Sequence, residues 1–321
     1  MFGRSVSATF LLLLVAALPR QAACAAEAAS QSDGQPAVQR PVQEIRRAVI
    51  ISVDGLRPDL LLRARTPVIR RLMDSGSFSL WARTVKQAIT LPSHTSMLTG
   101  VSPEKHGVLW NGDKDEEAYP KVPTIFEVAK KGGLTTAMVT GKSKFDALAR
   151  PGTIDWLSVS KATDDEVGSR AAAVLATHRP QLLVVHFPGC DGAGHSKGWG
   201  SPEQMAAIES IDRSLGVLMS ALEETGLDRE TLVILSADHG GAGKGHGPDD
   251  PRCRHIPWIA VGPGVRRNYD LTRDGTLVIN TEDTFATACY FLGIRPEGPI
   301  DGKPVEQILA GERELLRDVK N

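Results

Sequence analysis

The chain is short of charge imbalance, of cysteine and of long apolar runs, and each shortage closes off a class of function. Lys and Arg number 37 against 38 Asp and Glu, for a formal net charge of −1. No basic block stands out, so a nucleic-acid polymer finds no broad positive surface to bind by bulk electrostatics. A small anion held by locally placed charge stays compatible. Cysteine occurs at four positions only, Cys24, Cys190, Cys253 and Cys289, with no CxxC and no metal-ligand spacing among them. If the segments around Cys190 and Cys253 meet, a disulfide between them is the expectation in an oxidising compartment. The N-terminal apolar run FLLLLVAAL at 10–18 is too short to span a membrane. No internal repeat and no separate second domain are visible, and nothing in the sequence sets an oligomeric state.

What is present suits a soluble globular enzyme-sized body: 321 residues, 41% hydrophobic and 23% charged. Residues 1–25 read as an export leader. Arg4 supplies the positive start, FLLLLVAAL the apolar core, and Ala23-Cys24-Ala25 the small-residue cleavage site. The expectation is a periplasmic or secreted protein. Lipidation at Cys24 is the alternative, for which Gln21-Ala22-Ala23 is a poor match. Residues 26–45 are polar, rich in Ala, Gln and Pro and without period, which reads as a disordered tether. The folded domain is expected over 46–321.

Within that domain, Val/Ile/Leu-rich runs alternate with helical patterns. AVIISV (48–53), TTAMV (135–139), LLVVHF (182–187), LVIL (232–235) and IPWIAV (256–261) read as strands buried on both faces. TIFEVAKK (124–131) reads as a helix stopped by Gly132-Gly133, and 202–224 as the longest helix, with Ile208, Ile211, Leu215, Leu218 and Leu222 on one face. Alternation of this kind implies an α/β fold, a mainly parallel central sheet sandwiched between helices in a single domain. Ligands in such sheets bind beyond the carboxyl ends of the strands.

Polar motifs begin where three of these runs stop. Asp54 follows AVIISV. Asp191 and His195 follow LLVVHF, in Asp191-Gly192-Ala193-Gly194-His195. Asp238 and His239 follow LVIL, in Ser236-Ala237-Asp238-His239-Gly240-Gly241. An Asp after a strand is usually a turn or a cap. Three Gly-flanked sets on one rim are instead the donor mixture of divalent-cation sites, Zn²⁺ foremost. Five ligands do not fill a two-ion site. His246 is the expected sixth, with His255 the alternative. Thr90 is the candidate nucleophile, standing before a helix at 93–99 whose first turn carries Pro92, where the positive helix end attracts a phosphoryl group. A plain Thr cap beside a satisfied His94 is the competing account.

These motifs resemble the alkaline phosphatase superfamily, in its type I phosphodiesterase/nucleotide pyrophosphatase branch. The resemblance runs through VDGLRPD (53–59), TLPSHTSMLTGVSPEKHGVLWN (90–111), DGAGH (191–195), SADHGG (236–241), HGPDDPRCRHIPWIAVGPGV (246–265) and DGKPV (301–305). It implies an alkaline phosphatase-like fold and a metal-dependent phosphoric ester hydrolase acting on a small phosphate ester. It implies one Zn²⁺ held by Asp54, Asp238, His239 and Thr90, and a second by Asp191, His195 and His246. Thr90 would attack phosphorus and form a phospho-enzyme that water then releases. Asn111, with the Leu91 N–H, would bind a non-bridging phosphoryl oxygen; without that role it is a turn residue before Gly112.

Departures from the pattern narrow the reading. A sulfatase carries Cys or Ser in C/S-x-P-x-R, whereas this chain has Thr90-x-Pro92-x-His94. DGAGH, SADHGG and HGPDD follow closely on one another, so the specificity insertions of large nucleotide pyrophosphatases are reduced. Lys142 and Lys144, after TTAMV on the same rim, resemble the K-x-K element of phosphonoacetate hydrolases and some phosphomonoesterases. They are expected to bind the extra charge of a monoester or a substrate carboxylate, unless the segment is simply a solvated loop. Phosphodiesterase is thus the leading expectation, and phosphomonoesterase or phosphonate hydrolase the alternative. A non-catalytic or transferase relative is the third, against which stand the complete ligand set and the missing membrane spans.

Overall fold

The structure is a computed structural model and describes residues 39–114 and 118–311. The expected export leader and most of the expected tether lie outside the described residues. Packing begins ahead of Arg46: Ile45 is fully buried and Val42 packs against the core.

Eight strands form one sheet: β1 Arg47–Val53, β2 Ser77–Arg83, β3 Thr136–Thr140, β4 Trp156–Val159, β5 Leu182–Phe187, β6 Thr231–Ser236, β7 His255–Val261 and β8 Tyr269–Asp270. Their order is β4-β3-β5-β1-β6-β7-β2-β8. The five expected strands are β1, β3, β5, β6 and β7, each within a residue of its expected bounds. All pairings are parallel except those of β7 with β6 and with β2. So β7 alone runs against the others among the described strands. Every residue of β5 and β6 is buried, as is β1 after its first residue. Continuous apolar runs in these strands follow from being covered on both faces.

Helices form the two covers. Pro67–Ser75, Asp164–His178, Gly189–Lys197 and Pro202–Glu224 pack together, as Thr90–Thr99 does with Asp283–Leu292. Asp164–His178 rests on β3 and β5, and Asp283–Leu292 on β1 and β6. The helix Pro202–Glu224 starts at a Ser201 cap, carries Pro at its first position and buries Ile208, Ile211, Leu215, Leu218 and Leu222.

One local expectation is corrected. Thr90 is the first residue of the helix Thr90–Thr99, not the residue before it, and all ten residues of that helix are buried. DGAGH, to which the sequence assigns no element, lies within the helix Gly189–Lys197. β2, β4 and β8 lie outside the five expected strands. β4 and β8 are short, and β2 alternates buried with half-buried or exposed residues over SFSLWAR.

Register then sets up the site. Val53 pairs with Phe187, Ser52 with Ser236 and Thr140 with His186. The carboxyl ends of β1, β3, β5 and β6 therefore finish level, and the residues that follow them share one rim.

Candidate functional site

The rim gathers every residue of the expected ligand set. Asp54 leaves β1, Asp238 and His239 leave β6, and all three are fully buried. Asp191 and His195 lie four apart on the helix Gly189–Lys197, hence on one face of it. His246 arrives from the connection between β6 and β7. Two sets, Asp54/Asp238/His239 and Asp191/His239/His246, each bring three donor atoms within 4.8 Å of one another. His195 joins the second set, with Nε2 3.3 Å from Asp191 Oδ1.

Three details show that these groups fit divalent cations. First, the imidazoles are pre-set. His195, His239 and His246 donate Nδ1–H to the carbonyls of Lys244, Gly240 and Ala88 at 3.0, 2.9 and 2.8 Å. A carbonyl only accepts, so each Nε2 carries a free lone pair, and all three point inward. Second, Asp54 Oδ1, Asp191 Oδ1 and Asp238 Oδ2 are buried without a hydrogen-bond partner. A buried carboxylate oxygen left in that state is costly unless a cation meets it. Third, these oxygens sit 3.2–3.7 Å from the imidazole Nε2 atoms. Ligands at about 2.05 Å from a tetrahedral ion stand roughly 3.3 Å apart. The Nε2 atoms of His195 and His246 face each other at 3.1 Å, an arrangement that a shared cation resolves.

The carboxylates differ in charge state. Burial opposes ionisation of Asp54, but the Lys142 ammonium and the His186 hydrogen bond hold its carboxyl well below the usual range. Burial, with Asp54 and Asp191 nearby, pushes Asp238 well above that range. Burial likewise brings His239 down to about 4. Three acids crowded this closely do not all ionise without added positive charge.

Thr90 Oγ1 lies 3.4 Å from His239 Nε2, at the first turn of its helix. The satisfied His94 is also observed: it donates Nδ1–H to the Thr90 carbonyl at 2.8 Å and accepts from Ser52 at 2.7 Å. Thr90 is nevertheless no cap: Ile89 holds that position, without a side-chain cap bond. Beside Thr90, the Leu91 N–H donates to Asn111 Oδ1 at 2.9 Å, and Lys144 Nζ reaches the same oxygen at 3.3 Å. Two donors thus converge on one oxygen in front of a helix N-terminus.

The two lysines part company. Lys142 Nζ bonds Asp54 Oδ2 at 2.7 Å and Asp191 Oδ2 at 2.6 Å, inside the acidic cluster. His255 is not brought to the site; it pairs with Arg83 across β7 and β2 and stacks on Trp81 at 3.9 Å. Cys190 and Cys253 are buried and free, so the disulfide expectation is corrected: Cys190 Sγ turns to the Gly55 carbonyl and Gln204 instead.

Two residues of the site, His186 and Trp199, are not among the expected ones. His186 donates Nε2–H to Asp54 Oδ2 at 2.8 Å. Its signal was there, a lone imidazole inside the doubly buried run LLVVHF. Trp199 donates to the Gly55 carbonyl at 3.0 Å and lies edge-on to His195. A Cβ at Gly194 would come within 2.8 Å of this indole, and one at Gly241 within 2.1 Å. The glycines of two ligand segments thus make room for one ring, a relation no spacing reveals.

The family model for type I phosphodiesterase / nucleotide pyrophosphatase matches residues 48–245. The chain belongs to that family. Relatives include rat ectonucleotide pyrophosphatase/phosphodiesterase family member 1, 29% identical over 217 residues, and a Schizosaccharomyces pombe pyrophosphatase/phosphodiesterase, 28% identical over 216 residues. Each alignment takes in 60% of this chain, but only 24% and 44% of those proteins, so the chain spans less than half of either. Among solved structures, murine ectonucleotide pyrophosphatase/phosphodiesterase 5, in an inactive form with AMP, superposes with TM-score 0.71 at 15% identity, over 83% of this chain and 100% of that one. A 2-O GAG sulfatase superposes with TM-score 0.68 at 17% identity, over 84% and 75%. The fold of the type I phosphodiesterase family is therefore shared with a sulfatase, and the side chains on the rim must separate the two chemistries. The matched segment ends one residue short of His246. Among the described residues no helix is long and apolar enough to cross a membrane.

Proposed function

We propose that the chain is an exported phosphoric ester hydrolase that works with two divalent ions, Zn²⁺ by donor type, through Thr90 as nucleophile. The observation that carries this is the set of three unpartnered carboxylate oxygens facing inward-pointing Nε2 atoms beside the Thr90 hydroxyl. Asp54, Asp238, His239 and Thr90 would hold one ion, and Asp191, His195 and His246 the other. Bound there, the ions would supply Lewis-acid charge at phosphorus and lower the pKa of attacking oxygens. The chain does the rest. The Thr90 Oγ–P bond forms as the bond from phosphorus to the leaving alcohol breaks, and the hydroxyl proton passes to solvent or to that alcohol. Water then cleaves Oγ–P, returning Thr90 and releasing phosphate or a phosphomonoester. The Leu91 N–H, Asn111 and Lys144 hold the non-bridging oxygen that gains charge. A sulfatase would require a residue convertible to formylglycine at position 90, and Thr is not one.

Thr90→Ala should keep its fold by circular dichroism and lose turnover of an aryl phosphate ester by at least about a thousandfold. Retained turnover would refute the nucleophile. A chelator should abolish activity, and added Zn²⁺ should restore it. N-terminal sequencing and mass of the exported protein test the leader: a start after Ala25 supports secretion, and a lipidated Cys24 replaces it with membrane anchoring.

The family supports a diesterase. The position of Lys144 favours a second reading, a phosphomonoesterase or phosphonate hydrolase, because a monoester carries an extra charge that a second cation near Asn111 would bind. An aryl monoester, an aryl diester, a nucleotide diester and phosphonoacetate, compared on wild type and Lys144→Met, separate the two. Loss of monoester turnover alone supports the second reading, and equal losses count against it.

A further inference from the structure

We infer that Lys142 is a positioning residue of the metal centre and not a substrate-binding one; this rests on the two-ion reading above. The backbone divides the K-x-K pair. Lys142 follows β3 in extended conformation, whereas Lys144 lies in the 3₁₀ turn Ser143–Leu148. The ammonium groups consequently go to different places. Lys144 reaches Asn111, in the phosphoryl-binding corner. Lys142 reaches across β5 to the end of β1 and to the helix Gly189–Lys197, and its side chain is only 20% exposed.

Its two bonds join the two proposed ion sites, because Asp54 belongs to one and Asp191 to the other. They also sort the carboxylate oxygens. On each acid Oδ2 is taken by Lys142, and on each acid Oδ1 is the atom left unpartnered and facing the imidazoles. Lys142 thereby decides which oxygen each acid offers to an ion. Asp54 has a second support in His186 on the same Oδ2. Asp191 Oδ2 has no donor other than Lys142 among the described residues. The site built on Asp191, His195 and His246 thus depends more on this lysine than the other does.

A positioning role and a mere neighbouring charge predict opposite signs. An ammonium beside a cation site repels the cation, so deleting an idle one tightens metal binding. Deleting one that orients ligands weakens binding, by about 10–100-fold for comparable supporting groups. The experiment is calorimetric Zn²⁺ titration of metal-stripped wild type, Lys142→Met, Lys142→Arg and Lys144→Met, with folding checked by thermal melts. Wild type should take two ions. Lys142→Met should weaken one of the two steps by about 10–100-fold, and Lys142→Arg, which keeps two donors, should recover most of that loss. Lys144→Met should leave both steps unchanged while raising KM for ester substrates. If Lys142→Met binds both ions as tightly as wild type or more tightly, or if Lys142→Arg fails to recover any of the loss, the inference is wrong. Should Lys142→Met not fold, Lys142→Gln, which removes the charge and keeps a polar side chain, takes its place: one weakened step supports the role, and unchanged or tighter binding of both ions overturns it. A wild type that takes fewer than two ions overturns the two-ion reading itself, so the two failures are told apart.

Discussion

The two halves of the site are built from different materials. Asp54, Asp238 and His239 stand directly on strand ends, fully buried, above the all-buried helix Thr90–Thr99. Asp191, His195 and His246 stand on a helix and a rim connection, and the His195 side chain is 47% exposed. The first half is fixed by the sheet. The second is held by side chains, notably Lys142 and Trp199. The first half lies beside Thr90, and the second reaches solvent through His195.

The sharpest break in that comparison is between Asp54→Asn and His195→Asn. Asp54→Asn should cost at least about a thousandfold in turnover and resist rescue, since its loss leaves a buried site one charge short. His195→Asn should cost about 10–100-fold and be largely rescued by excess Zn²⁺. Equal, unrescued losses measured by initial rates across a metal series would erase the distinction between the halves.

Trp199 links the two halves, so the next largest effect tests that link. Trp199→Ala removes a ring seated between Gly194 and Gly241 and should destabilise the fold by about 3–5 kcal/mol. Trp199→Phe keeps the seat and loses the bond to the Gly55 carbonyl, for about 1 kcal/mol. Denaturant melts measure both, and similar values for the two variants would show that the ring is not wedged.

The smallest effect concerns the scaffold under the rigid half. His106 accepts from the Val108 N–H at Nδ1, so it is neutral with its proton on Nε2, donated to Ser96 of the buried helix. Burial brings it down to about 4 from the ordinary value near 6.5. The unfolded chain takes up this proton more readily, so stability is full above pH 6.5 and falls as pH drops from 6.5 to about 4. His106→Asn should be less stable at neutral pH and should show a shallower loss over that window. Parallel melting curves for the two proteins would dismiss the contribution.

The same contrast explains which features are legible in the sequence. The rigid half was legible because a ligand directly after a doubly buried strand is marked by where the apolar run stops, as at Val53 and Ser236. The five central strands were legible for the same reason. DGAGH was found as a motif but not as a helix, since two glycines mask helical propensity and the placement comes from packing. The direction of Lys142 was not legible, because residues two apart diverge or converge according to a local turn. Nor was Trp199, whose partners at positions 55, 194 and 241 are joined only by tertiary approach.

The reversed strand β7 carries one more implication. Because β7 runs back from the rim where β6 ends, the connection over 237–254 never crosses the sheet, and it carries Asp238, His239 and His246 on that rim. Chain can be inserted there without disturbing a single strand register, and it would arrive on the rim that holds the Asp and His cluster. That connection is the natural growth point of this architecture, because length can change there between His246 and β7 while the eight strands keep their pairing.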